Sequence, residues 1–110
     1  MKRSVTIGDL RQRMSLEQVA RVDDGGGGAA ESWAAVATLW AALLPVSGGE
    51  DVVADGLEGR ATHEIWIRYR AGVVPAMRFT KGARIFEILS VIDVDERHRW
   101  LKVLCEERQL

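Results

Sequence analysis

Thr62-His63-Glu64-Ile65-Trp66-Ile67-Arg68-Tyr69-Arg70 alternates apolar and polar side chains and is rich in β-branched and aromatic residues. That composition, at that period, is a strand. Successive side chains of a strand point to opposite faces, so Ile65, Ile67 and Tyr69 share a face suited to a core. Glu64, Trp66, Arg68 and Arg70 share the other. Enzymes gather their chemistry in pockets, whereas here the most unusual residues, alternating arginines beside a tryptophan, fall on the outward side of a strand. The pattern favours binding or assembly over catalysis.

Upstream, the even positions Met14, Leu16, Ala20 and Val22 make an apolar face broken only by Gln18, which predicts a first strand over 13–22. Asp23-Asp24-Gly25-Gly26-Gly27-Gly28-Ala29-Ala30-Glu31 has nothing to bury and high backbone freedom, so it is expected to be a flexible hairpin tip. A phosphate-cradling glycine loop would need a strand before it, a helix after it and usually Lys-Ser/Thr at its end; those are missing. Ser32 to Leu44 is ambiguous. Trp33, Val36, Leu39, Trp40 and Leu43 have helical spacing and the alanines suit a helix, yet Val36, Thr38, Trp40 and Leu44 also fit one strand face. Flanked by the Gly-rich loop and by Pro45-Val46-Ser47-Gly48-Gly49, the segment reads as a strand with a bulge. Ser47 to Asp51 then opens a short helix with acidic residues in its first turn, which Gly56 and Gly59 stop.

Downstream, Ala71 to Pro75 is a loop. Met77-Arg78-Phe79 pairs across Lys81-Gly82-Ala83 with a long arm from Arg84 to Ile92. Asp93 to Arg99 turns the chain, and Trp100 to Glu107 alternates as a last strand. The expected fold is mainly β: a small antiparallel barrel or sandwich of about six strands, with one short helix and long mobile loops.

At 110 residues the chain is expected to form one domain over residues 1–110, with one core. Hydrophobic residues at 47% and charged residues at 28% are near globular averages and argue against wholesale disorder. A net charge of -1 argues against a nucleic-acid binder held by bulk attraction, while leaving a local basic face possible. The lone Cys105 excludes an internal disulfide and is expected to be a buried, inert thiol. No apolar run follows Met1-Lys2-Arg3, so no signal peptide is expected. The longest apolar stretch, Trp33 to Val46, is shorter than the roughly 20 residues of a membrane span.

Several stretches also occur in an order that resembles the head-tail joining, or head-closure, proteins of tailed bacteriophages, the version in phage-derived gene transfer agents included. They are Gly8-x-Leu10-Arg11-x-Arg13, Trp33, Trp40-Ala41, Pro45-x-Ser47-Gly48-x-Glu50 and the Thr62 to Arg70 strand. Arg78-Phe79, Phe86-Glu87-Ile88, Arg97-x-x-Trp100-Leu101 and Cys105-Glu106-Glu107 continue the series. The resemblance spans nearly the whole chain. It departs at the acidic, Gly-rich loop from Asp23 to Gly28 and at Gly49, where the family often has an arginine. What it implies is a small β-barrel in the virion, at the head-tail interface, made in the bacterial cytoplasm. Six or twelve copies would form a ring below the portal and its adaptor, closing the DNA-filled head and presenting a docking surface to the tail terminator. Implied partners are further copies, the portal or adaptor, the tail terminator and packaged DNA in the channel, with no membrane, cofactor or catalytic residue.

Under this reading Trp66, Arg68 and Arg70 are candidate interface residues, since Trp and Arg dominate binding energies. The loop Gly25, Gly26, Gly27 and Gly28, and Glu50, are candidates that order on assembly. Trp33, Trp40 and Trp100 are expected in the core or at its edge. His63 and His98 stand apart, without metal-ligand spacing, and are expected on the surface. Ser90, Cys105 and the two histidines share no catalytic motif. Asp93, Asp95 and Glu96 are read as solvated turn carboxylates. The alternative to a virion protein is a small nucleic-acid-binding barrel using Trp66, Tyr69, Arg68 and Arg70 for stacking and phosphate contacts.

Overall fold

A computed structural model describes residues 5–23, 29–46 and 60–108. The Gly-rich hairpin tip and the short helix expected from Ser47 lie outside the described residues.

Six strands form: β1 (Gln12–Asp23), β2 (Ala29–Pro45), β3 (His63–Arg68), β4 (Arg78–Lys81), β5 (Arg84–Asp93) and β6 (Trp100–Glu107). Every pairing is antiparallel, and the order β1-β2-β3-β6-β5-β4 closes on itself through Leu16↔Phe79, so the sheet is a barrel and not a sandwich. Closure removes the free edges that an open sheet would expose. The β4–β5 hairpin turns on Gly82-Ala83, with Gly82 at φ 58, a conformation with a low cost only for glycine.

The inner face follows the alternation of the sequence. Met14, Leu16, Ala41, Ile65, Ile67, Phe79, Phe86, Ile88, Leu101, Val103 and Cys105 are buried there. Phe79 and Phe86 face each other across β4 and β5 with no exposed surface. Val73 and Met77, from the β3–β4 connection, join the same cluster.

The ambiguity of residues 32–44 has a physical source. The β1–β2 register jumps between Leu16↔Ala37 and Glu17↔Ala35, leaving Val36 unmatched, which is the expected bulge. Trp33 and Leu39 would share a face in a regular strand; the extra residue puts them on opposite faces, and the mixed period mimics a helix.

Three expectations are corrected. Trp66 and Glu64 share the second face of β3 as expected, but that face is covered: Trp66 is 4% exposed and Glu64 7%. Tyr69 does not continue the inner face, because β3 ends at Arg68 and Tyr69 turns outward to stack on His98, 4.3 Å between ring centres. Trp40 belongs to neither core nor core edge; it is 55% exposed. Trp33 and Trp100 are half-buried.

Candidate assembly surface

The β1–β2 hairpin is longer than the barrel it belongs to. β1 pairs with β4 only at Ser15, Leu16 and Glu17, and β2 with β3 only from Ala42 onward, yet the two strands stay paired out to Asp23↔Ala29. Beyond the barrel they are a two-stranded ribbon, which is marginally stable alone. One cluster ties its base down. Arg78 Nε donates to Glu17 Oε1 at 2.7 Å, and the guanidinium lies 4.0 Å from the centre of the Trp33 ring.

A second feature lies on the outer wall of β2 and β3. Ala42↔Trp66 is a matched pair, so Trp40 and Arg68, two residues along each antiparallel strand, are neighbours on that wall. With Ile7 and Leu10 they line an apolar groove of about 360 Å³. Ile7 stands 62% exposed on a short 3-10 turn, Ile7–Asp9, held by Asp9, whose carboxylate accepts from the Thr6 backbone N–H and hydroxyl. Those hydrogen bonds keep the Asp9 pKa below its ordinary value. The Arg13 guanidinium sits 5.6 Å from the centre of the Trp40 ring.

The β5–β6 connection is the third feature. Asp95, Glu96 and His98 all have φ between 54 and 57, left-handed values that cost non-glycine residues about 1–2 kcal/mol each. Asp93 holds the turn by accepting from the His98 backbone N–H at 3.0 Å and pairing with the His98 ring. Tyr69 N–H donates to the Arg99 carbonyl at 3.0 Å and ties the turn to the end of β3.

At the opposite end of the barrel Arg84 grips Glu107 through Nε and a second nitrogen, at 2.8 and 3.1 Å. This pairing lowers the Glu107 pKa and raises that of Arg84. His63 is not a surface residue as expected: its side chain is 15% exposed and packs edge-on against Phe86. Burial lowers its pKa, partly opposed by Glu107. Cys105 is buried, and desolvation raises its pKa far above the usual thiol range, so the thiolate is suppressed, as expected for an inert thiol.

Of the candidate interface residues, Arg68 is exposed and joins Trp40 at the groove, Arg70 is half-buried, and Trp66 is spent inside the chain, its indole N–H donating to Glu64 Oε1 at 3.0 Å. Gly25 to Gly28 and Glu50 lie outside the described residues. Sequence reading missed Trp40 and Ile7. The β2–β3 register would have found the first, and no sequence pattern marked the second. Among the described residues no group of three or more His, Cys, Asp or Glu could hold a metal ion, and no helix is long and apolar enough to cross a membrane.

The family model of phage head completion proteins matches residues 5–108. The chain belongs to the phage head completion protein family. It is a structural protein of the virion, which bears out the resemblance to head-closure proteins. Among solved structures the chain is similar to protein SF1141 from Shigella flexneri 2a, at 28% identity and TM-score 0.75, over 94% of this chain and 96% of that one. It is also similar to a chain of the virion of a native gene transfer agent particle, at 31% identity and TM-score 0.65, over 90% of this chain and 96% of that one. No curated protein matches. Membership of a head completion family implies assembly with other virion proteins.

Proposed function

We propose that this protein forms a ring below the portal and its adaptor, closes the DNA-filled head and offers the docking surface for the tail terminator. The observation that carries the reading is the combination, in a head completion family member, of a closed barrel with an exposed Trp40–Ile7–Arg68 groove and a ribbon that no third strand pairs with among the described residues. A closed barrel resists deformation, while a large exposed aromatic beside an arginine is the composition of an interface and not of a solvated surface. A mechanical and not catalytic role is what membership of a structural virion family supports.

Deleting the gene in the producing strain and imaging the particles by electron microscopy tests this. Filled or leaking heads beside separate tails are expected, and normal tailed particles would overturn the proposal. The nucleic-acid reading needs Trp66 and Tyr69 as a stacking platform, and Trp66 is buried. Steeply salt-dependent binding of a short single strand to the isolated protein would restore that reading.

A further inference from the structure

The Trp40 groove is rimmed by positive charge, with Arg13 over the indole and Arg68 along its side. Among the described residues neither guanidinium has a carboxylate partner. Desolvating an apolar floor between two such cations is favourable when the arriving surface is apolar with acidic flanks.

The chain carries such a surface. In the closed order β5 stands three strands from β2, which in a barrel of six is the opposite wall. Val91 of β5 packs against the core and Ile92 points out, 39% exposed; the turn that follows presents Asp95 and Glu96, with Arg97 next to them. Both features lie at one end of the barrel, since Arg68↔Trp100 and Asp93↔Leu101 are neighbouring ladder pairs. Ile92 on the wall opposite the groove, with the acidic turn at the same end of the barrel, makes a heterologous contact, which repeats in one direction and gives a ring when the rotation between copies closes. Groove-to-groove pairing would bring the arginines of two copies together.

We propose that the Trp40 groove of one copy receives the Ile92 face of the next, with Arg13 and Arg68 facing Asp95 and Glu96. The proposal rests on the ring reading and adds the two faces that build the ring. Its test is a disulfide between positions 7 and 92, both exposed, in particles carrying Ile7→Cys together with Ile92→Cys; buried Cys105 gives little background. Oxidation of intact particles is expected to yield a ladder of multimers from the double variant and monomers from either single variant. The same particles treated with an amine-reactive cross-linker report whether a ring of this chain is present at all. Amine-linked multimers without the 7–92 disulfide would overturn the face assignment and leave the ring standing. A dimer from Ile7→Cys alone would show symmetric pairing and overturn it too. No multimers by either chemistry would overturn the ring reading and this inference with it.

Discussion

Trp66 and His63 show how one strand spends its polar residues. Trp66 is buried with its only donor given to the Glu64 carboxylate, on the face that sequence alternation reserves for solvent. Trp66→Phe keeps most of the apolar contact and removes that donor from a buried carboxylate, so it should cost about 1–3 kcal/mol, read as a lower urea midpoint at an unchanged m-value. A loss near zero would mean that water replaces the indole. His63 gives a pH dependence whose sign is fixed by its cause. Burial lowers its folded-state pKa below 6.5, so the unfolded chain binds the proton more readily. Its contribution is therefore complete above about pH 6.5, declines as the pH falls below that value, and stops declining once the lower folded-state value is passed. Glu107, whose pKa is lowered by Arg84, loses its contribution only in the more acid range below about 4.5. NMR titration of the His63 ring should give a midpoint under 6.5. Urea midpoints between pH 5 and 7 should slope less in His63→Gln than in the parent; an unchanged slope would assign the dependence to other groups.

Strand by strand, what was legible depended on whether alternation reached the surface undisturbed. Segment 100–107 is regular enough that β6 falls where period two puts it, and the Lys81-Gly82-Ala83 turn follows from glycine. β5 was legible as a strand but not in its faces, because a bulge at Leu89 moves Val91 to the inner side and Ile92 to the outer. β2 was half-legible because the bulge at Val36 mixes periods and its alanines declare no face. The covered face of β3 was illegible for a different reason: a strand's own sequence says which residues share a face, not what lies over that face. Arg68 could be read as exposed, whereas its neighbour Trp40 required the β2–β3 register. The ribbon carries a prediction of its own. Among the described residues, Arg78, shared between Glu17 and the Trp33 ring, anchors the base of the ribbon. Arg78→Ala should cost about 1–2 kcal/mol from the partly exposed ion pair and the cation–π contact. The loss should be local: hydrogen exchange should speed up for amides of 18–23 and 29–34 while those of Phe79 and Phe86 keep their protection. Uniform acceleration would show that ribbon and barrel open as one unit.

Taken whole, the molecule buries the residues that hold it together and leaves exposed those proposed to meet partners, and two aromatic truncations should pull these apart. Phe79 lies at the barrel's closing seam, paired with Leu16 on one side and Phe86 on the other, all three with no exposed surface. Phe79→Ala removes a full ring from a packed interior and should cost about 3–5 kcal/mol. Small domains have roughly 5–15 kcal/mol in total, so thermal unfolding followed by circular dichroism should show a large fall in Tm. Trp40 is also large and aromatic, but 55% of its surface meets water and its ring lies under the Arg13 guanidinium. Trp40→Ala should therefore shift the stability of the free chain by no more than about 0.5–1 kcal/mol. In assembly the order reverses, because an exposed tryptophan beside arginines is where binding energy concentrates. Particles made with Trp40→Ala should contain a folded chain that fails to join heads to tails, scored as separated heads and tails in electron micrographs. If Trp40→Ala instead lowers Tm as far as Phe79→Ala does, the groove belongs to the barrel's own packing and not to its partners.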